Sequence, residues 1–352
     1  MKFSINFVLI RIITAVALFA ALGKANEWMD TTTNTLLALG YSIELIFLPI
    51  TLLLLGSRAL IWALAVMAAG AALFIITDKP FVPMVAACLF AYGAAVSGYL
   101  ITNVAAQSKH GAARNLMSVN AGALVGGVII MFPFLTPVLF FWSASGIVLI
   151  CLLIALPYPI HIPEIHTKVF DGQKLSTVLA WVLIGITMGM IIFGTFSVLP
   201  QNLLETHATL PSWYGFMIIL NCFVIVVAQM PILKFIETAG RYRMPAIFGL
   251  IFMTFGLYIL MDFIPIYSFL GAAVWMILVS LGECTLGHLD YYSTRQKVLF
   301  VKEISIGFGS GLTVLLMRTL PDAYNSTLIA VLGISFTLIW WALTHRQLRH
   351  YD

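Results

Sequence analysis

Three ionisable side chains stand inside long apolar runs, and they are where this sequence could do chemistry. Glu44 lies near the centre of GYSIELIFLPITLLLL, and Glu283 lies in VSLGECTLGHLDYYSTRQ. Arg11 falls within NFVLIRIITAVALF, about two helical turns from its start. A charge held in hydrocarbon costs roughly 2.5–3.5 kcal/mol on insertion scales, so each must face a cavity or a partner. For the acids this leaves a carboxyl that takes up and releases protons, a counter-ion for a cationic ligand, or a neutral group bonded to a neighbouring helix. Arg11 either pairs with an acid, meets an anionic ligand, or snorkels to the surface.

Other candidates are weaker. His288 and Asp290 follow Glu283 toward a surface, and Lys302 with Glu303 reads as a pair of solvated helix-end charges or a gate. Asn103, Asn120, Asn221 and Gln229 can bond a solute or join helices, and joining is the plainer role. Met188, Met190, Phe193 and Phe196 make either an adaptable pocket wall or ordinary core. His161 and His166, five apart in a proline-containing stretch, do not share a helix face, so no metal site is expected. Cys88, Cys151, Cys222 and Cys284 stand alone, without metal or disulfide spacing. No GxxxxGK[ST] loop is present, which excludes direct ATP drive by this chain. His288, Asp290 and Arg295 lack the polar loop that a catalytic site would need, so no enzyme and no cofactor are expected.

The elements that must position these residues follow from composition. Only 9% of the 352 residues are charged, against roughly 25% in soluble domains. Mean hydropathy is +1.04. Such a chain cannot cover a water-facing surface. Its repeated long runs favour membrane helices over the alternating strands of a barrel. About twelve spans are expected: 5–25, 33–55, 59–77, 81–106, 113–132, 136–156, 176–199, 212–233, 244–262, 265–288, 298–318 and 324–344. The longest break divides them six and six. It gives an N-terminal bundle over 1–156, a linker over 157–175, and a C-terminal bundle with a short tail over 176–352. Arg11 interrupts the opening apolar stretch, which is read as a retained span rather than a cleaved leader.

Basic residues concentrate in alternate loops. Arg58, Lys109, Arg114, Lys168, Lys174, Lys234, Arg241, Arg243, Arg295 and Lys297 fall on one side, with Lys2, Arg346 and Arg349. The positive-inside tendency then places both termini in the cytoplasm. The net charge of +4 includes no basic cluster suited to nucleic acid.

Residues 213–256 carry the sharpest pattern: Tyr214-Gly215 opens an apolar run, Gln229-x-Pro231 closes it, and Lys234, Glu237, Gly240, Arg241 and Arg243 lead into a run with Gly249 and Gly256. This stretch resembles the eighth and ninth helices of major facilitator superfamily transporters, especially the drug-efflux branch. Pro49, Gly56, Arg58 and Gly70 form a fainter echo in the first half. In the fifth span, Asn120, Gly122, Gly126 and Gly127 resemble the glycine-rich antiporter signature, with Val125 where its proline would stand. Two features depart from the family pattern. The first gating signature is reduced to Gly56 and Arg58, and the fourth span lacks a membrane-embedded arginine.

The resemblance implies an all-α polytopic protein of two pseudo-symmetric six-helix bundles, with a site near the bilayer midplane. It implies a secondary active transporter of a small organic solute, most simply proton-coupled efflux from the cytoplasmic (inner) membrane, acting as a monomer. Glu44, Glu283 and Arg11 are the expected ion-coupling or solute residues, and Lys234, Glu237, Arg241 and Arg243 the expected gate. Proton-coupled uptake of a nutrient or metal-chelating molecule, or a transporter-like protein that no longer transports, stand as alternatives.

Overall fold

The computed structural model describes residues 4–43, 47–75, 79, 81–129, 131–132, 135–158, 174–207, 211–319 and 324–348. Glu44 lies outside them, as does most of the expected linker with His161, Glu164 and His166. The side chains of Arg241 and Phe196 are also outside the description.

Among the described residues the chain is helical throughout. The helices are α1 (Ile5–Trp28), α2 (Thr31–Ile43), α3 (Leu48–Leu55), α4 (Ala59–Leu73), α5 (Val82–Ala105), α6 (Lys109–Ile129) and α7 (Pro137–Ala155). They continue with α8 (Leu175–His207), α9 (Tyr214–Thr238), α10 (Arg243–Met261), α11 (Phe269–Glu283), α12 (Leu286–Arg295), α13 (Leu299–Thr319) and α14 (Asn325–Leu348). Ten stretches are long and apolar enough to cross a membrane, so this is a multi-pass membrane protein. The expected second span is covered by α2 and α3, with 44–46 outside the description. The expected fifth span is α6, which starts at Lys109 and carries Arg114, Asn115 and Asn120, so it falls short on apolarity rather than length.

Several expected ends move. Pro231 reads in the sequence as closing its apolar run, yet α9 continues through it to Thr238, and α8 continues past the expected end at 199 through Pro200 to His207. Packed neighbours in a membrane protein can re-satisfy the carbonyl that a proline leaves open. Lys234 and Glu237 therefore ride on the last turns of α9. The tenth span, expected to be continuous over 265–288, is two helices, α11 and α12, separated by Cys284 and Thr285.

The chain divides into two compact units, Met1–Val169 and Phe170–Asp352. Each has the same internal pairing. In the first, α1 packs on α6 and α7, α4 on α5 and α7, and α2 on α5. In the second, α8 packs on α13 and α14, α10 on α11 and α14, and α9 on α11. Glycines allow the closest approaches. A Cβ built on Gly122 or Gly126 of α6 would meet the α1 backbone at Ile12 O (2.4 Å) or Ala20 N (3.1 Å). One built on Gly309 of α13 would lie 2.0 Å from Ile186 O of α8. The turns into α4 and α10 also match, each a 3-10 turn opened by a glycine of positive φ, Gly56 at +50° and Gly240 at +52°. The supposed match of Gly70 with Gly256 does not hold. A Cβ built on Gly70 would lie 2.5 Å from Phe90 N, whereas Gly256 faces open space.

Helix ends are capped by local side chains. Thr136 accepts from Leu139 N (3.3 Å) and Ser268 from Gly271 N (3.1 Å). Asp30 caps α2, accepting from Thr32 N (2.9 Å), Thr33 N (3.0 Å) and the Thr33 hydroxyl (2.6 Å). The Thr33 hydroxyl, with that residue's amide, holds the Asp30 carboxyl below its ordinary range.

Candidate functional site

Glu283 ends α11, and the helix breaks immediately after it. The local sequence Gly282-Glu-Cys-Thr-Leu-Gly287 explains the break. The Thr285 hydroxyl and amide both turn back on Gly282 O, at 2.8 and 3.1 Å, competing with the helical bond. The Cys284 carbonyl is taken from outside by Gln229 Nε2 of α9 at 3.1 Å. A Cβ built on Gly282 would fall 1.9 Å from Thr254 Oγ1, so α10 lies hard against this end of α11.

The Glu283 side chain is 4% exposed. Its Oε1 accepts from Asn221 Nδ2 of α9 (3.0 Å) and from the Thr195 hydroxyl of α8 (3.1 Å). Asn221 Nδ2 also reaches Ser280 Oγ at 2.9 Å. Thr195 Oγ1 lies 3.0 Å from the Tyr258 hydroxyl, which donates to Ile191 O at 2.6 Å. Among the described residues no ion pair reaches Glu283. Three helices thus hold one buried carboxylate with neutral donors alone.

Seven residues later the second unit has a different solution. Lys302 of α13 is fully buried and bonded to Asp290 of α12, and its Nζ lies 2.6 Å from Glu303. The expectation of solvated helix-end charges at 302–303 is therefore corrected, as is the surface position expected for His288, which is buried. Gly185 of α8 brings its helix against the Lys302 backbone, 2.6 Å from Lys302 O to a built Cβ. Nearby, the Trp181 indole donates to Gln296 Oε1.

Arg11 is 8% exposed. Its Nε is buried without a hydrogen-bond partner. Of the expected gate, Lys234 is exposed and Arg243 Nη2 reaches the Glu237 carbonyl at 3.5 Å, at the C-terminal end of α9. Asn120 bonds Leu116 O of its own helix, and Met188 and Met190 are core residues. Sequence reasoning missed Thr195 as a partner of Glu283, and Ser280 and Tyr258 as the groups that bond its partners Asn221 and Thr195. A tyrosine in an apolar run must find a hydrogen-bond partner when buried, and that signal was available at Tyr258.

No protein-family model matches the chain, and no curated protein matches it. Among solved structures it resembles the crystal structure of the human organic anion transporter MFSD10 (TETRAN), with a TM-score of 0.69 and 13% identity over 95% of this chain and 98% of that one. At that identity the likeness shows the fold, the all-α polytopic fold of a major facilitator protein. The neighbour is a transporter and not an enzyme.

Proposed function

We propose that this chain is a secondary active transporter that moves a small organic solute by alternating access, with proton-coupled efflux as its working direction. One observation carries the reading: Glu283, a buried acid with no cation paired to it among the described residues, at the break of a membrane helix. Broken helices and lone intramembrane acids are where transporters place ion and solute sites. The solved neighbour transports organic anions, which agrees with an organic solute.

The Thr195 hydroxyl supplies a way to link protonation to shape. It has one proton and three acceptors in reach, Glu283 Oε1 at 3.1 Å, Ile191 O at 2.9 Å and the Tyr258 hydroxyl at 3.0 Å. An ionised Glu283 claims that proton, which ties α8 to α11. A protonated Glu283 releases it to Ile191 and leaves the two helices free to separate. Glu44 is the second coupling acid in this reading. Lys234, Glu237, Arg241 and Arg243 form the gate at the α9–α10 turn. The protein works as a monomer in the cytoplasmic membrane with both termini in the cytoplasm.

The test is solute-driven proton movement in proteoliposomes holding a trapped pH dye. Glu283→Gln is expected to abolish proton movement while solute exchange between equal pools continues. Gradient-driven transport unchanged by Glu283→Gln would sink the coupling role, and proton flow that accompanies solute in the same direction would reverse the assignment to efflux.

A further inference from the structure

Four charged side chains are buried among the described residues: Arg11, Glu283, Asp290 and Lys302. Asp290 and Lys302 pair, and Glu283 accepts from Asn221 and Thr195. Arg11 has nothing equivalent. Its Nε is sealed without a partner, and no ion pair reaches its guanidinium among the described residues.

An arginine in this position has few ways out. Its guanidinium cannot shed its proton in a protein, so it stays charged where a lysine could neutralise itself. An unpaired buried charge is among the costliest groups in a fold. α1 places no acidic side chain near Arg11. Phe7, Ile10 and Ala15 are buried apolar residues, and the Thr14 hydroxyl donates to the Ile10 and Arg11 carbonyls, at 2.9 and 3.2 Å. On the adjoining face, Gly122 brings α6 against Ile12 and Ala15 with no side chain of its own. One turn from Arg11, the Phe7 ring meets Tyr158 edge-on at 6.1 Å. The result is a fixed cation beside aromatic and aliphatic surface.

We infer that Arg11 is the anion-recognising residue of the solute site, and that the solute carries an oxyanion, a carboxylate or sulfonate, on an apolar body. The inference rests on the transport reading for the word solute, and on Arg11 alone for the word anion. The guanidinium fork matches two oxygens of such a group with two parallel hydrogen bonds.

Binding can be tested without transport. Purified full-length chain in detergent is titrated with benzoate and benzenesulfonate, with the neutral isostere benzamide, and with sodium chloride at matched ionic strength, following thermal unfolding. The two organic anions are expected to raise the melting temperature, and benzamide and chloride are not. Arg11→Gln is expected to weaken benzoate binding about tenfold or more, the loss of a charge-assisted hydrogen bond. Arg11→Lys keeps part of the affinity, since the charge stays and the fork goes. Equal shifts from benzamide or chloride, unchanged binding by Arg11→Gln, or no shift from either organic anion would overturn the inference; the last result is what an Arg11–Glu44 pair would give. If Arg11→Gln does not fold, phenylglyoxal modification of the wild-type chain decides. Benzoate is expected to slow labelling of the Arg11 peptide and benzamide is not, and equal rates overturn the proposal. Anion binding without solute movement would overturn the transport reading alone, whereas movement indifferent to solute charge would overturn the anion assignment alone.

Discussion

The two units share a helix-pairing scheme and differ in what they bury. Gly93 of α5 and Gly282 of α11 occupy matching contacts. A Cβ on Gly93 would meet Ala63 O and Met67 of α4, and one on Gly282 would meet Leu250 O and Thr254 of α10. The next residue is Ala94 in the first unit and Glu283 in the second, both buried. Around Ala94 the helix continues, whereas after Glu283 it breaks. The first unit buries one charge, Arg11, among its described residues, and the second buries three. A repeated scaffold therefore sets backbone contacts in both places, while polar chemistry is added at individual positions without disturbing the pairing.

The contrast can be broken in order of expected effect. Lys302→Met leaves Asp290 and Glu303 without their cation, and a loss of about 3–5 kcal/mol is expected in thermal or denaturant unfolding. A cost below about 1 kcal/mol, the range of exposed pairs, would mean that the cluster is wet. Ala94→Glu plants in the first unit the acid that the second unit carries. Without an Asn221 or Thr195 to receive it, the change is expected to cost roughly 2.5–3.5 kcal/mol. Tolerance would show that the first unit has polar capacity after all, and the asymmetry would fall.

Smaller effects test the shared scaffold. Gly122→Ala and Gly309→Ala each push a Cβ into a neighbouring backbone, so both are expected to destabilise by about 1–3 kcal/mol. Gly249→Ala, with open space around it, is expected to be neutral or stabilising by up to about 1 kcal/mol. Similar costs at 122 and 309 support equivalent α1–α6 and α8–α13 contacts, and a wide gap breaks the repeat. Last, α12 ends in a left-handed residue, Lys297, at φ 58°. Its amide bonds Thr294 O at 3.1 Å, and the Val298 amide bonds Ser293 O at 2.8 Å. This closing pattern normally carries glycine. Lys297→Gly is expected to raise stability by about 1 kcal/mol, visible as a small upward shift in melting temperature.

How far the sequence could be read depended on the kind of signal. Long apolar runs located most spans, because length and hydropathy act residue by residue. Pro231 misled, since a proline's effect depends on neighbours that re-satisfy a carbonyl. Gly122 and Gly126, singled out in the sequence by a family resemblance, lie where α6 comes against α1. Glu283 was visible as a lone acid, yet Thr195 and Tyr258, 88 and 25 residues away in sequence, were not. Their roles come from which helices pair, and pairing has no local signature. Lys302 was misjudged for the same reason. Its place near a helix start suggested water, whereas the fold buries it, bonded to Asp290 of α12 and with its backbone against α8.

The length of α8 has a mechanical consequence. Its 33 residues extend about 50 Å, against a hydrocarbon layer of roughly 30 Å. It must tilt, or carry its ends out through the headgroups, where Gln201, Glu205 and His207 would be at home. The same helix carries Thr195 and touches α13, α14, α10 and α11. Bilayer thickness thus acts on α8 as a load on a beam, and a change in lipid chain length would reach the Glu283 hydrogen bonds without any ligand.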